Sequence, residues 1–194
     1  MTRIVVNNNL TLDGVMQAPG RPDEDRRGGF EHGGWAQPYF DEVMAKAAGE
    51  GMAKGTALLL GRRTYEDFAK VWPTMPDDNP FTKVINDATK FVASQTLKAP
   101  LAWNNSTLLE GDAVDAVTRL KKKPGKDVVI LGSGELIHSL MKHDLIDEYR
   151  LLIHPLILGS GRRLFADGGP LATFKLVDSQ TTTTGVVIAT YHPA

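Results

Sequence analysis

The sequence predicts an α/β fold with a mostly parallel central sheet, helices on both faces and an antiparallel hairpin at its C-terminal end. Short apolar runs of strand length alternate with amphipathic helical segments, which is typical of a parallel sheet covered on both faces. Two of these runs end at a glycine directly before a helix. The last two runs are rich in β-formers and meet near one glycine, which predicts the closing hairpin.

The predicted elements follow the order β-α-β-α-β-β-α-β-α-β-β-β. The first helix begins near Pro38, because Phe40 and four later apolar residues recur at helical spacing. Asp112 is a suitable N-cap for a later helix, with Asp115 at the capping-box position. The predicted strands are 3–7, 57–60, 90–93, 106–109, 127–131, 149–158, 174–184 and 186–192, and the predicted helices begin near 38, 62, 112 and 135.

Composition excludes several classes of function. The length of 194 residues suits one domain, and we interpret residues 1–194 as such. The 22 Lys+Arg balance 23 Asp+Glu, which argues against a nucleic-acid partner. No apolar run approaches the roughly 18 residues of a membrane span, and no secretory signal precedes the first strand, so we expect a cytoplasmic protein. Cysteine is absent and the histidines lack metal-site spacing, so we expect no metal.

Two strand–glycine–helix junctions carry the main functional signal. The first is Gly61-Arg62-Arg63-Thr64 and the second is Gly132-Ser133-Gly134-Glu135-Leu136, each directly after an apolar strand. A helix N-terminus exposes unpaired N–H groups and glycine permits close approach, so both junctions suit the phosphates of a dinucleotide. An arginine there can bind the 2′-phosphate of NADP. The alternative is that these glycines only form tight turns, since neither junction is a G-x-G-x-x-G fingerprint.

These motifs occur in the order seen in the dihydrofolate reductase-like superfamily, with Thr11-Leu12-Asp13-Gly14 before them and Ser94 between them. The chain most resembles stand-alone proteins related to the reductase domain of the bifunctional riboflavin-biosynthesis deaminase/reductase. The segment 147–165 shares this likeness, which covers nearly the whole chain. The resemblance implies a three-layer dihydrofolate reductase-like sandwich, NADPH as the cofactor and a homodimer.

The resemblance also implies site residues. It places the stretch 17–35 as a mobile loop over the active site, which excludes water during hydride transfer. The residues implied to contact substrate are Trp35, Phe40 and Arg162. The residues implied to bind the cofactor are Thr11, Leu12, Asp13, Gly14, Gly61, Arg62, Arg63, Thr64, Ser94, Gly132, Ser133, Gly134, Glu135 and Leu136.

One position departs from the dihydrofolate reductase pattern. Those enzymes carry a carboxylate one turn before an aromatic pair on the first helix, whereas here Ala36 precedes Tyr39-Phe40. Asp13 is the catalytic candidate that remains, to orient substrate or relay a proton, and the alternative is an ordinary Asp-Gly turn. Arg162 likewise has the alternative of a solvated surface residue.

Two functions follow from these observations. One is an NADPH-dependent reductase of a small heterocyclic substrate, ribosylaminopyrimidine-like or pterin-like. The other is an NADP-binding module of the same fold with little or no turnover, because a fold alone does not establish catalysis.

Overall fold

A computed structural model describes residues 1–54, 57–76, 80–165 and 168–194. In these ranges eight strands form one sheet in the order β4-β3-β2-β5-β1-β6-β8-β7. The first six strands in that order, from β4 across to β6, run parallel to one another. Strands β8 and β7 add the antiparallel hairpin. The strands are β1 Ile4–Thr11, β2 Ala57–Gly61, β3 Thr89–Ala93, β4 Ser106–Leu109, β5 Val128–Leu131, β6 Glu148–His154, β7 Phe174–Thr181 and β8 Val187–Pro193.

Five α-helices in the same ranges cover the two faces and complete three layers. The helices are α1 Glu42–Lys54, α2 Arg62–Val71, α3 Pro80–Asp87, α4 Ala113–Lys121 and α5 Gly134–Met141. Val117 of α4 and Ile137 of α5 pack on one face of the sheet. Tyr65 of α2 and Ile85 of α3 pack on the other face, where Met44 of α1 contacts β6 and β8. The predicted fold class is therefore confirmed. None of these helices is both long and apolar enough to span a membrane.

The first strand is longer than the predicted 3–7, because it continues through three asparagines to Thr11. Asparagine is depleted in strands, so the polar run favoured a loop in sequence terms. In the structure β1 is central, and β6 pairs with it from Val5 to Thr11. Ladder pairing with β6 along the whole run, joined by β5 as far as Asn7, overrides the local preference here.

Helix boundaries also differ from the prediction. The chain from Gln37 to Tyr39 forms a 3-10 turn, and α1 begins only at Glu42, so Phe40 lies outside the helix. Helix α3 was not predicted, because its apolar residues follow a Pro- and Asp-rich stretch typical of a loop. The predicted N-cap is confirmed, since the Asp112 carboxylate accepts from the N–H of Val114 at 2.8 Å.

Candidate functional site

A large cleft opens at the carboxyl ends of the parallel strands, with a volume of about 1790 Å³. It lies where β2 and β5 are neighbours but their following connections diverge, one towards β3 and the other across to β6. Open α/β sheets bind ligands at such a switch point. Its lining includes both predicted glycine junctions, the end of β1, the loop after β3 and residues 16–21 and 24–27.

The two junctions, predicted separately, meet in this cleft. The N–H of Gly61 donates to Ser133 Oγ at 3.0 Å, which ties the start of α2 to the start of α5. Thr64 Oγ1 accepts from both the N–H and the hydroxyl of Ser133, at 3.2 and 3.0 Å. This contact follows from the parallel pairing of β2 and β5, which places both strand ends side by side.

The glycines at the two junctions have different local roles. Gly132 has a φ of +58°, and Ser133 follows it in the left-handed region at +55°. A Cβ at Gly132 would also lie 3.3 Å from Thr64 Oγ1, so this turn itself requires glycine. Gly61 has an ordinary φ of −73°, and a Cβ there would make only normal contacts, 3.7 Å or more from Ser133. The fold therefore tolerates a side chain at position 61.

The junctions present unpaired donors to the cleft. Neither α2 nor α5 has a side-chain hydrogen bond at its N-cap. The first-turn N–H groups of a helix lack partners within the helix, and the helix dipole adds a positive field there. The side chain of Leu136 is buried in the core, so only its backbone is available to a ligand in the cleft. The pair of helix starts is suited to bind an anionic group.

Cationic side chains flank these donors. Arg62 pairs with Glu66 within α2 at 3.0 Å, and both side chains are 38% exposed, so the pair is weak. Arg63 is exposed, lines the cleft and has no ion pair in the described part of the chain. On the far side Arg162 contacts Glu135 at 3.3 Å, and both also line the cleft.

Ser94 lies in the turn after β3 and also lines the cleft. Its Oγ accepts from the N–H groups of Thr96 and Leu97 at 3.1 and 3.0 Å. The hydroxyl therefore shapes this turn, and any contact with a ligand uses its remaining hydrogen-bonding capacity.

The stretch 17–35 forms a folded loop beside the cleft. Gln17 holds it, because its Nε2 donates to the carbonyls of Asp25 and Arg27 at 3.2 and 3.0 Å. Gln17 Oε1 accepts from the N–H of Arg162 at 3.0 Å, which joins the loop to the opposite side. Nothing in the sequence marked Gln17 as the residue that organises this loop.

Two of the residues predicted to contact substrate lie outside the cleft. Trp35 is buried in a small cluster with Val15 and Phe30, and its Nε1 donates to the Gln17 carbonyl at 2.7 Å. In this position Trp35 anchors the loop, and its contact with substrate stays a prediction. Phe40 is 56% exposed on the segment before α1 and does not line the cleft, so its contact with substrate also stays a prediction that this cleft does not support.

The segment Thr11 to Gly14 forms a tight turn whose polar groups are engaged within the chain. Asp13 accepts from Thr11 Oγ1 at 2.6 Å and from the N–H of Gly159 at 2.9 Å. The Thr11 hydrogen bond lowers the pKa of Asp13 below its usual value. A carboxyl group with a lowered pKa is a poor proton donor at neutral pH. These contacts match the alternative that Asp13 is an ordinary turn residue. Its role as a proton relay stays a prediction.

One buried polar atom near this turn has no partner in the described residues. His154 is fully buried at the end of β6, and its Nδ1 lies 3.0 Å from the Leu152 carbonyl. Its Nε2 makes no hydrogen bond in the described residues, and its ring contacts those of Trp35 and Tyr39 edge-on, with centroids 5.1 and 5.5 Å apart. Burial lowers the pKa of His154, so the ring is neutral in the folded protein at neutral pH.

The cleft residues that the sequence interpretation missed include Asn7, Asn8 and Asn9 of β1. Asn8 binds the second junction directly, because its Oδ1 accepts from the N–H of Gly132 at 2.7 Å and its Nδ2 donates to the same residue's carbonyl at 3.2 Å. The available signal was three consecutive asparagines directly after an apolar strand.

Comparisons with known proteins agree with this architecture. The uncharacterized protein YyaP of Bacillus subtilis is 32% identical over 138 residues, covering 70% of this chain and 72% of that protein. A candidate riboflavin biosynthesis protein from Shewanella sp. PV-4 has the same fold, with a TM-score of 0.67, 24% identity and coverage of 100% of this chain and 99% of that one. A pyrimidine reductase-like protein from Corynebacterium diphtheriae gives a TM-score of 0.63 at 14% identity, covering 100% and 92%.

The profile of the RibD C-terminal domain family matches residues 2–188. The chain therefore belongs to the RibD C-terminal domain family, which confirms the resemblance and supports a reductase-like function.

Proposed function

We propose that this member of the RibD C-terminal domain family is an NADPH-dependent reductase that acts on a small heterocyclic substrate. The observation that carries the proposal is the meeting of two uncapped helix N-termini at Gly61 and Ser133, inside one large cleft. Family membership supports the reductase class. The substrate class is drawn from the pyrimidine reductase-like neighbour and is part of the proposal.

The cleft residues fit the phosphates of a dinucleotide. The backbone donors at the starts of α2 and α5 bind the pyrophosphate, and Gly61 leaves room for it where the fold would accept a side chain. Arg62 and Arg63 bind the 2′-phosphate, and the weak pair between Arg62 and Glu66 opens at little cost. When bound, the nicotinamide supplies the hydride.

The chain itself contributes orientation and shielding. Thr64 and Ser133 fix the two helix starts against each other, so the donors are aligned before a ligand arrives. The loop held by Gln17 lines the cleft with its segment 18–21, and we propose that it reduces access of water to the reacting groups.

A second candidate is an NADP-binding module without turnover. Two observations favour it: Ala36 replaces the carboxylate of dihydrofolate reductases, and Asp13 is engaged in a turn. The described structure thus assigns no carboxyl group to proton donation. Both candidates require the same cofactor site, so cofactor binding is tested first and turnover second.

The test titrates NADPH and NADH, followed by nicotinamide fluorescence, against wild type, Arg62→Ala and Arg63→Ala. We expect each variant to weaken NADPH about tenfold, the usual size of a charge-assisted contact, and to leave NADH unchanged. Arg119→Ala is the matched control. This arginine lies on α4, outside the cleft, and donates to the Glu110 carbonyl. Absence of binding at sub-millimolar concentration would refute the proposal.

Turnover then separates the two candidates. NADPH oxidation is measured by absorbance with panels of pterins, pyrimidines and small carbonyl compounds. Oxidation that depends on one of these substrates supports the reductase, whereas tight NADPH binding with no oxidation across the panels supports the binding module.

A further inference from the structure

We propose that Asn7 and Asn9 recognise the substrate, by hydrogen bonding to the edge of a neutral, planar heterocycle that carries adjacent N–H and C=O groups. The inference rests on the proposed function and deepens it, because it names the chemical groups of the substrate that are recognised and the residues that bind them.

Both asparagines point to the same face of the sheet. Side chains alternate along a strand, and Val5 of β1 packs in the cluster that α2 and α3 cover. Asn7 and Asn9 follow Val5 at intervals of two and therefore share its face. Val6 and Leu10 belong to the cluster on the opposite face, which agrees with this alternation.

Among the described residues, no helix packs over this part of β1. On this face α1 packs over β6 and β8, through Met44 against Leu152 and Ile188. Helix α2 packs over β2 and β3, through Tyr65. Strand β1 lies between these two regions, and its two asparagines are half-buried and line the cleft. They form a polar floor beside the junction that binds the cofactor in our proposal.

The two amides have hydrogen-bonding capacity to spare. Asn8 makes two side-chain hydrogen bonds to Gly132, whereas in the described ranges no hydrogen bond involves the side chain of Asn7 or Asn9. A central parallel strand normally carries apolar residues, and a half-buried amide without a protein partner is costly there. The two amides therefore contribute to ligand binding rather than to the packing of the strand.

The chemistry of the floor selects the ligand. Each amide offers both an acceptor oxygen and donor N–H groups, and the two lie about 7 Å apart along the strand, which suits one ring system. Arg150 is the neighbour of Asn7 on β6, and Glu148 pairs with it at 3.0 Å and with Arg3 at 2.7 Å, so the charge of Arg150 is partly offset. Leu131 and Leu152 flank the amides on β5 and β6. A neutral ring thus fits this floor better than an anion.

The experiment uses lumazine, a fluorescent pteridine-dione, and its N,N′-dimethyl derivative, which lacks the ring N–H donors. Each is titrated into the full chain saturated with NADP⁺, for wild type, Asn7→Leu and Asn9→Leu. We expect lumazine to bind wild type at least about tenfold more tightly than the dimethyl derivative, and each variant to lose about tenfold in lumazine affinity. Asn104→Leu, at an exposed loop position outside the cleft, is the matched control.

Thermal unfolding separates recognition from a structural role. Leucine suits a central strand, so both variants should keep or raise the Tm while losing lumazine. The inference is overturned if lumazine fails to bind wild type, if both ligands bind equally, or if the leucine variants bind as wild type does. It is also overturned if the variants weaken NADP⁺ rather than lumazine. If NADP⁺ does not bind at all, the proposed function fails, and the lumazine titration of the cofactor-free chain decides the inference alone.

Discussion

The glycine junctions and the turn from Thr11 to Gly14 lie at the same edge of the sheet but use their polar groups in opposite ways. In the turn, the Thr11 hydroxyl and the Asp13 carboxylate bind partners within the chain. At the junctions, two helix starts have no side-chain cap, and Arg63 lies beside them exposed to the cleft. The difference teaches that unused hydrogen-bonding capacity, rather than residue type, distinguishes the ligand site that we propose at this edge.

The largest expected effect on stability follows from removing the Asp13 carboxylate at the centre of the turn. Asp13→Ala loses the hydrogen bonds from Thr11 and from the N–H of Gly159, so we expect unfolding to become easier by about 2–3 kcal/mol. NADPH affinity should be unchanged, because Asp13 does not line the cleft. Chemical denaturation and cofactor titration measure the two quantities.

Asp13→Asn is the matched variant for this comparison, since it keeps an acceptor oxygen and should lose only about half as much stability. If Asp13→Ala retained full stability but lost cofactor binding or turnover, the turn would belong to the active site. The resemblance-based placement of the turn beside the nicotinamide would then be supported.

A pair of glycine substitutions sharpens the contrast within the cleft. Gly132→Ala forces a side chain to adopt a φ of +58° and crowds Thr64, so we expect a loss of about 1–2 kcal/mol in stability. Gly61→Ala meets only normal contacts, and its stability should change by less than about 0.5 kcal/mol. Its NADPH affinity should nonetheless fall about tenfold, because the added methyl group occupies space for the phosphates.

Thermal unfolding and NADPH titration of both variants check these expectations. Unchanged NADPH affinity in Gly61→Ala would contradict the placement of a phosphate against this backbone, and the two helix starts would then have only a structural meaning.

The smallest expected effect is a pH dependence of stability that comes from His154, the buried histidine near the turn. Burial lowers the pKa of His154 below 6.5, so below that pH the unfolded chain binds a proton that the folded chain resists. Stability should therefore fall as the pH decreases below 6.5, by at most about 0.4 kcal/mol between pH 6.5 and pH 6. His154→Leu should flatten this slope relative to wild type, whereas a variant at the exposed position His143, His143→Leu, should keep it. An identical slope in all three proteins would contradict this reading.

The sequence predicted the two glycine junctions better than it predicted the residues around the turn from Thr11 to Gly14. Gly61 and Gly132 were recognised because a strand, a glycine and a helix start are local features that the sequence displays directly. The sequence could not place Trp35, because an aromatic residue beside a glycine-rich loop fits a substrate wall and a loop anchor equally well. Only its hydrogen bond to Gln17 distinguishes them.

By itself, the sequence determined the order of the strands and of the described α-helices except α3, the Asp112 cap and the family, because each follows from periodicity or from motifs in consecutive residues. Tertiary structure decided what no local pattern contains. The pairing of β2 with β5 joined two distant junctions in one cleft, and pairing with β6 drew three asparagines into a central strand. Such contacts depend on which strands become neighbours, and hydrogen bonds between neighbouring strands outweigh the weaker preferences of single residues.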